Sequence, residues 1–188
     1  MNENEIKYWN KFYSNFNATK CSDFCNFIIN YFTDINIKNV IDCGCGNGRD
    51  SYKLASKYSV CGVDNSGFMP TNNRNCIFKN DDFTLIDKTN YDLVYSRFTF
   101  HSITNDQHLS FLKSINNNTF LAIETRSDKS ENDQVYHGKN HYRNYTNIEY
   151  LKKILMDNNF QILHIEENNN LALYKDENPI CIRVICKK

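Results

Sequence analysis

The chain is short of residues that break regular structure: its 188 residues include only two prolines and six glycines. Turns must therefore draw on other residues. Asparagine, about one residue in six, is the available candidate. The asparagines are spread along a periodic sequence, with short NNN clusters where turns are expected. They read as a compositional bias tolerated in loops, not as a prion-like or glycosylated segment. An excess of one charge is also missing. With 22 basic and 22 acidic residues the formal net charge is +0, which excludes a global field steering the chain to nucleic acid or an anionic membrane. No apolar run approaches 18 residues, and MNENEIKYWNKFY at the start holds no continuous apolar core, so neither a membrane span nor a signal peptide is expected. The eight cysteines lack framework spacing, and a chain of this length does not need covalent staples. A reduced, cytoplasmic-type compartment is expected.

What is present is alternation. Apolar strand-like runs (IKNVIDC, SVCGVD, CIFKND, YDLVYSR, TFLAIET, QILHIEE, PICIRVICK) are interleaved with helix-like ones (RDSYKLASKY, NDQHLSFLKSI, NIEYLKKILMDNNF). This predicts an α/β fold with a mostly parallel sheet in a single domain spanning 1–188. Two helices are expected in the first 36 residues, over 4–15 and 22–33, with Ser22 or Asp23 capping the second. Tyr150, Leu151, Ile154 and Leu155 give the last helix its apolar stripe, and Asn158–Asn159 its stop. The final two strands are expected to pair antiparallel at one edge. Residues 126–145 show no periodicity, and so long a loop inside a compact domain is usually functional.

The stretch VIDCGCGNGRDS, residues 40–51, carries the chemistry. As half a metal site it fails: no second Cys/His pair at a supporting spacing accompanies Cys43 and Cys45, and no metal is expected. A phosphate-binding Walker loop fails because no Lys-Ser/Thr follows Gly48. The dinucleotide fingerprint fails because Arg49 stands where its third glycine belongs. What remains is D-x-G-x-G-x-G, whose leading Asp42 favours a cationic ligand group over a pyrophosphate. At the tip of the next strand Asp64 can accept both hydroxyls of a ribose. In KNDDF, Asp82 can accept from an adenine amino group while Phe83 offers an aromatic face. Each acid alone reads equally well as a helix cap; three at consecutive strand ends point to a nucleoside cofactor.

With these residues the sequence resembles the class I S-adenosylmethionine-dependent methyltransferases. DCGCGNG is similar to that family's first motif, VDNS to its ribose-binding acid and NDDF to its adenine-binding segment. YDLVYSRFTFHSI is similar to the strand and loop facing the transferred methyl. GNGRDS and RFTFHSI further resemble small bacterial methyltransferases of the tellurite-resistance type. ETRSD, HYRNY and LALYKDENPICIRVICKK resemble those of capsule and phosphonate biosynthesis. The resemblance implies a Rossmann-like sheet of seven strands in the order 3-2-1-4-5-7-6, strand 7 antiparallel, with helices on both faces. It also implies S-adenosylmethionine as cofactor. Gly44, Gly46 and Gly48 would line its methionine part, Asp42 would approach its amino group, Asp64 would hold the ribose, and Asp82 with Phe83 the adenine. Cys45, Asn65, Ser66 and Ser96 complete the implied set, and Met69 would border the adenine pocket. One departure is that NSGFMPTNNRNC, after Asp64, is too short for the usual helix, and Pro70 interrupts it.

Methyl transfer from a sulfonium is an in-line displacement, so the protein mainly aligns a nucleophile about 3 Å from the methyl carbon. A base is needed only for an acceptor that arrives protonated. His101 is its candidate, with a capping or core-edge histidine as the alternative. Arg97 (also a catalytic candidate), Arg126 and Arg143 suit bidentate binding of phosphate, phosphonate or carboxylate. If Glu124 pairs with one of them, the cluster is structural instead. His137, His141, Tyr142 and Tyr145 would line the same loop or simply be solvated. Without a basic tract, and with YSRF where amino-methyltransferases of nucleic acids carry [DN]-P-P-[YF], neither DNA nor RNA is expected as substrate. The expected enzyme, a monomer or homodimer, methylates a small anionic acceptor, preferably at oxygen, such as a capsule, phosphonate or sugar-phosphate intermediate. A thiol or chalcogen acceptor is second. An NAD-dependent oxidoreductase and a non-catalytic cofactor-binding protein are the rivals from other classes.

Overall fold

Strands that are apolar on both faces need cover on both sides, and this chain places helices before and between them. The computed structural model describes residues 3–15, 18–130, 141–174 and 176–188. Helices α1 (Glu3–Asn15) and α2 (Asp23–Tyr31) come first. They are followed by β1 (Asn39–Cys43), α3 (Arg49–Leu54), β2 (Ser59–Asp64), β3 (Cys76–Asn80) and β4 (Leu93–Arg97). The second half holds α4 (Asn105–Lys113), β5 (Phe120–Arg126), α5 (Ile148–Asp157), β6 (Gln161–Asn168) and β7 (Cys181–Lys187). The sheet order is β3-β2-β1-β4-β5-β7-β6. β7 runs antiparallel to β5 and β6, and every other pair is parallel. This is the expected architecture. The chain crosses from β2 to β3 without a helix, also as read from its shortness. The helix read over RDSYKLASKY is shorter, ending at Leu54 where the chain enters turns.

Two buried clusters sandwich the sheet, because successive strand residues face opposite sides. Val40 packs with Phe24, Ile28 and Leu54 under α2 and α3. Its neighbour Ile41 packs with Phe111, Leu112, Leu151 and Leu155 under α4 and α5. Ser22 caps α2, its side chain accepting the Cys25 N–H at 3.0 Å. Its own N–H and hydroxyl both donate to Asp50 at 2.7 Å, and Tyr95 donates to the same carboxylate at 2.8 Å. Buried Asp50 thus ties α2, α3 and β4 together. Among the described residues no helix is long and apolar enough to cross a membrane.

The chain leaves β1 towards β2 on one side and later places β4 on the other. That reversal opens a crevice at the carboxyl ends of the strands. Along this edge Asp64, Asp42, Arg97 and Arg126 belong to β2, β1, β4 and β5 in turn. Three inter-strand steps, roughly 14 Å, separate the first strand from the last.

Candidate active site

A cleft of about 600 Å³ lies over this edge, lined by Asp42, Gly44, Cys45, Asp64, Asn65 and Phe83, and also by Arg97, His101, Arg126 and Arg143. The volume falls within the range of small-molecule sites. The lining thus includes acidic and glycine-loop residues read from the sequence as cofactor-binding, together with the cations and the histidine read as acceptor-binding.

The glycine loop is shaped by what presses on it. Gly44 has φ = 77° and Gly46 φ = 53°, in the left-handed region where a side chain is strained. A Cβ on Gly44 would collide with Thr99, and one on Gly46 with the ring of Tyr13. Gly48 is the N-cap residue of α3 and packs towards Phe78 and Pro70, away from the cleft. The Gly44 and Cys45 N–H groups donate to Val63 O at 2.7 and 3.1 Å, which seats the loop on β2. Cys43 is fully buried in the core, and Cys45 lines the cleft.

At the acidic end, Asp64 accepts Gly46 N–H at 2.9 Å and Ser66 N–H at 2.8 Å, one bond on each oxygen. Each oxygen keeps a lone pair for a further donor. Ser66 itself is buried, its hydroxyl without a hydrogen-bond partner. Asp42 accepts the Ser51 hydroxyl at 2.5 Å. Burial pushes its pKa up to about 7, against the lowering effect of the Ser51 bond, and the nearby Asp50 and Asp64 push the same way. Two implied residues are engaged elsewhere. Asp82 uses one oxygen to accept Thr84 N–H and hydroxyl at 2.9 and 2.7 Å, and Ser96 is fully buried and bonded to Thr99. Neither lines the cleft.

At the basic end Arg97 donates through Nε to Glu124 at 2.8 Å, and Arg183 donates to the other Glu124 oxygen at 2.7 Å. Glu124 is fully buried behind the cleft wall. Glu124 therefore pairs with Arg97, the arrangement read above as structural, and is a counter-ion and not a surface for the acceptor. Arg143 is the arginine of the three that no carboxylate among the described residues pairs with. Burial raises the Glu124 pKa against the pull of Arg97 and Arg183. Arg126 donates through Nη2 to Glu177 at 2.6 Å. Arg143 differs: its Nη1 is buried with no hydrogen-bond partner. Burial and then the repulsion of Arg126 lower its pKa, yet a guanidinium stays charged. His101 accepts the Arg126 N–H on Nδ1 at 3.3 Å. A backbone N–H cannot accept, so the neutral ring carries its proton on Nε2. In that tautomer His101 is a hydrogen-bond donor and not a base.

The loop read over 126–145 is pinned at both ends. Ser127 bridges Thr146, and Asn144 N–H donates to His101 O at 2.8 Å. His137 lies outside the described residues. His141 and Tyr142 face α1 and not the cleft: His141 stacks on Tyr8 at 4.5 Å, and Tyr142 N–H donates to Glu5 at 2.9 Å. The sequence reading missed the roof that this creates. Trp9, Phe12 and Tyr13 line the cleft from α1, and their helical spacing was the available signal. It also missed Tyr174 and Glu177, which line the cleft from the connection between β6 and β7, and Phe98. Phe98 sits at the end of β4 with φ = 58°, a strain of about 1–2 kcal/mol for a residue with a Cβ. Among the described residues no His, Cys, Asp and Glu cluster is placed to hold a metal ion.

An acidic cradle of three left-handed glycines beside a strand-tip carboxylate, in a sheet of order 3-2-1-4-5-7-6, is decisive when the family comparison is added. Residues 40–119 match the family model described as a methyltransferase domain. The chain has the fold of the class I methyltransferases. Similar solved folds include a SAM-dependent methyltransferase from Anabaena variabilis (TM-score 0.71, 16% identity, 100% of this chain and 95% of that one). Another is a 1,6-didemethyltoxoflavin-N1-methyltransferase from Burkholderia thailandensis with S-adenosylhomocysteine bound (0.67, 15%, 88% and 76%). A third is TehB from Haemophilus influenzae (0.67, 18%, 96% and 67%). No curated protein matches the sequence. The methyltransferase fold thus persists here at low identity.

Proposed function

We propose that this methyltransferase uses S-adenosylmethionine to methylate a small anionic acceptor, with oxygen as the receiving atom. The supporting observation is Arg143 Nη1, buried beside Arg126 without a hydrogen-bond partner. A bound oxyanion would supply the missing acceptor and offset the repulsion between the two guanidiniums. Cofactor fit rests on Gly44 and Cys45, which line the cleft, and on the spare lone pairs of Asp64. Asp64 would hold the ribose hydroxyls, Phe83 would pack on the adenine, and Asp42 would face the ammonium group. When bound, S-adenosylmethionine supplies a methyl carbon activated by positive sulfur. The chain's part is alignment: Arg97, Arg126 and Arg143 hold the acceptor's charge at the end of the sheet away from Asp64. His101 donates from Nε2. An acceptor oxygen that arrives ionised needs no base, in agreement with that tautomer.

The test is methyl transfer across phosphorylated sugars, phosphonates, carboxylates and chalcogen oxyanions, with calorimetry for S-adenosylhomocysteine and NAD alongside. Turnover with an anionic acceptor is expected, and Arg143→Met should raise its KM at least tenfold while sparing affinity for S-adenosylhomocysteine. His101→Gln, which keeps a donor, should retain more activity than His101→Ala. Binding of NAD without S-adenosylhomocysteine, or turnover only with neutral acceptors, refutes the proposal.

A further inference from the structure

Phe98 combines three features found together nowhere else among the described residues. Its backbone is left-handed, its ring lines the cleft, and two guanidiniums lie within cation–π range of it. Arg97 Cζ is 4.3 Å and Arg126 Cζ 5.6 Å from the ring centre, and the His101 ring meets it edge-on at 5.4 Å. The turn out of β4 imposes φ = 58°, a geometry that glycine would adopt without strain. A bulky side chain is nonetheless held there, and strain of this kind collects where function requires a particular geometry. The Phe98 N–H donates to Glu124 O at 2.7 Å, fixing the ring's position relative to β5.

The two neighbouring ion pairs give the ring its purpose. Arginine and carboxylate commonly pair through two nitrogens. Here Arg97 meets Glu124 through Nε alone, and Arg126 meets Glu177 through Nη2 alone. Arg183 already holds the other Glu124 oxygen, and at Arg126 attraction to the electron-rich face competes with full pairing; at both residues the remaining N–H donors are left for the cleft. We propose that Phe98 is a positioning residue that keeps Arg97 and Arg126 from closing onto their carboxylates. Together with Arg143 they then present donors from three separate points of the chain to a tetrahedral oxyanion, a phosphate ester or phosphonate. A planar carboxylate offers its lone pairs in a single plane, whereas a tetrahedral oxyanion directs oxygens towards three separate points. This inference rests on the anionic-acceptor reading and names its class.

The experiment measures binding of inorganic phosphate and of acetate to the protein saturated with S-adenosylhomocysteine, together with affinity for S-adenosylhomocysteine and Tm. Wild type should prefer phosphate to acetate at least tenfold. Phe98→Gly, which suits the backbone, and Phe98→Leu, which keeps the bulk without the π face, should each weaken phosphate binding about tenfold. Affinity for S-adenosylhomocysteine should stay within twofold, and Phe98→Tyr should bind phosphate as wild type does. Phosphate affinity unchanged in Phe98→Leu overturns the positioning role while leaving the anionic reading intact. Equal loss of phosphate and S-adenosylhomocysteine affinity, with a lowered Tm, overturns it in favour of a purely structural ring. A wild type that binds S-adenosylhomocysteine but neither anion removes the anionic reading and this inference with it.

Discussion

Asp42 is the cleft-lining residue with the clearest electrostatic signature. Its folded pKa of about 7 lies well above the usual carboxylate value, mainly because it is buried. A group raised in this way stabilises the fold fully below about pH 4 and loses that contribution as pH climbs through 7. The ligand-free protein should therefore lose stability between about pH 4 and 7, and Asp42→Asn should flatten that slope in urea titrations. Cofactor binding should run the other way. An ammonium group favours the ionised carboxylate, so affinity for S-adenosylhomocysteine should rise from pH 6 to 8 in wild type and not in Asp42→Asn. Flat affinity across that range would separate Asp42 from the ammonium. The sequence disclosed this acid and its partners Asp64 and Phe83, because strand ends are legible from pattern. It did not disclose the left-handed Phe98, since no local pattern requires that dihedral of a phenylalanine. Nor did it disclose that Arg126 meets Glu177, because ion pairs between distant segments follow from tertiary packing alone.

Among the elements, α1 separates legible form from hidden role. Its periodicity foretold a helix at nearly the observed bounds, but not what its aromatic face would cover. None of its residues is fully buried. It is held by the stack of Tyr8 and Trp9 around His141, the Glu5 bond to Tyr142, and Tyr13 over Gly46. Gly46→Ala would set a methyl group against the Tyr13 ring in a backbone conformation that alanine rarely adopts. It should displace α1 and shift the emission of Trp9, the chain's single tryptophan. Wild-type emission in that variant would mean that Tyr13 is not seated on the loop.

At the scale of the whole molecule, the mostly parallel α/β class was legible from alternation and the antiparallel pair from the closeness of the last two strands, while the strand order followed from the family resemblance. The charge network that spans the strands was not legible. Glu124 lies between Arg97 and Arg183, on strands far apart in sequence. Glu124→Ala should destabilise the protein by about 3–5 kcal/mol, because it leaves buried Arg183 without its counter-ion. Changing Glu124 and Arg183 together to methionine should recover much of that loss; equal unfolding midpoints for the single and double variants would show that the pair is not coupled.

The roof also sets an order of assembly. A ribosome delivers α1 before any strand, yet the histidine it stacks on is residue 141 and the glycine under Tyr13 is residue 46. β7, which fills the gap between β5 and β6, is made after all the other strands. A helix made before every strand must therefore wait with its aromatic face uncovered until residue 141 has followed, and only then can it close over the cleft.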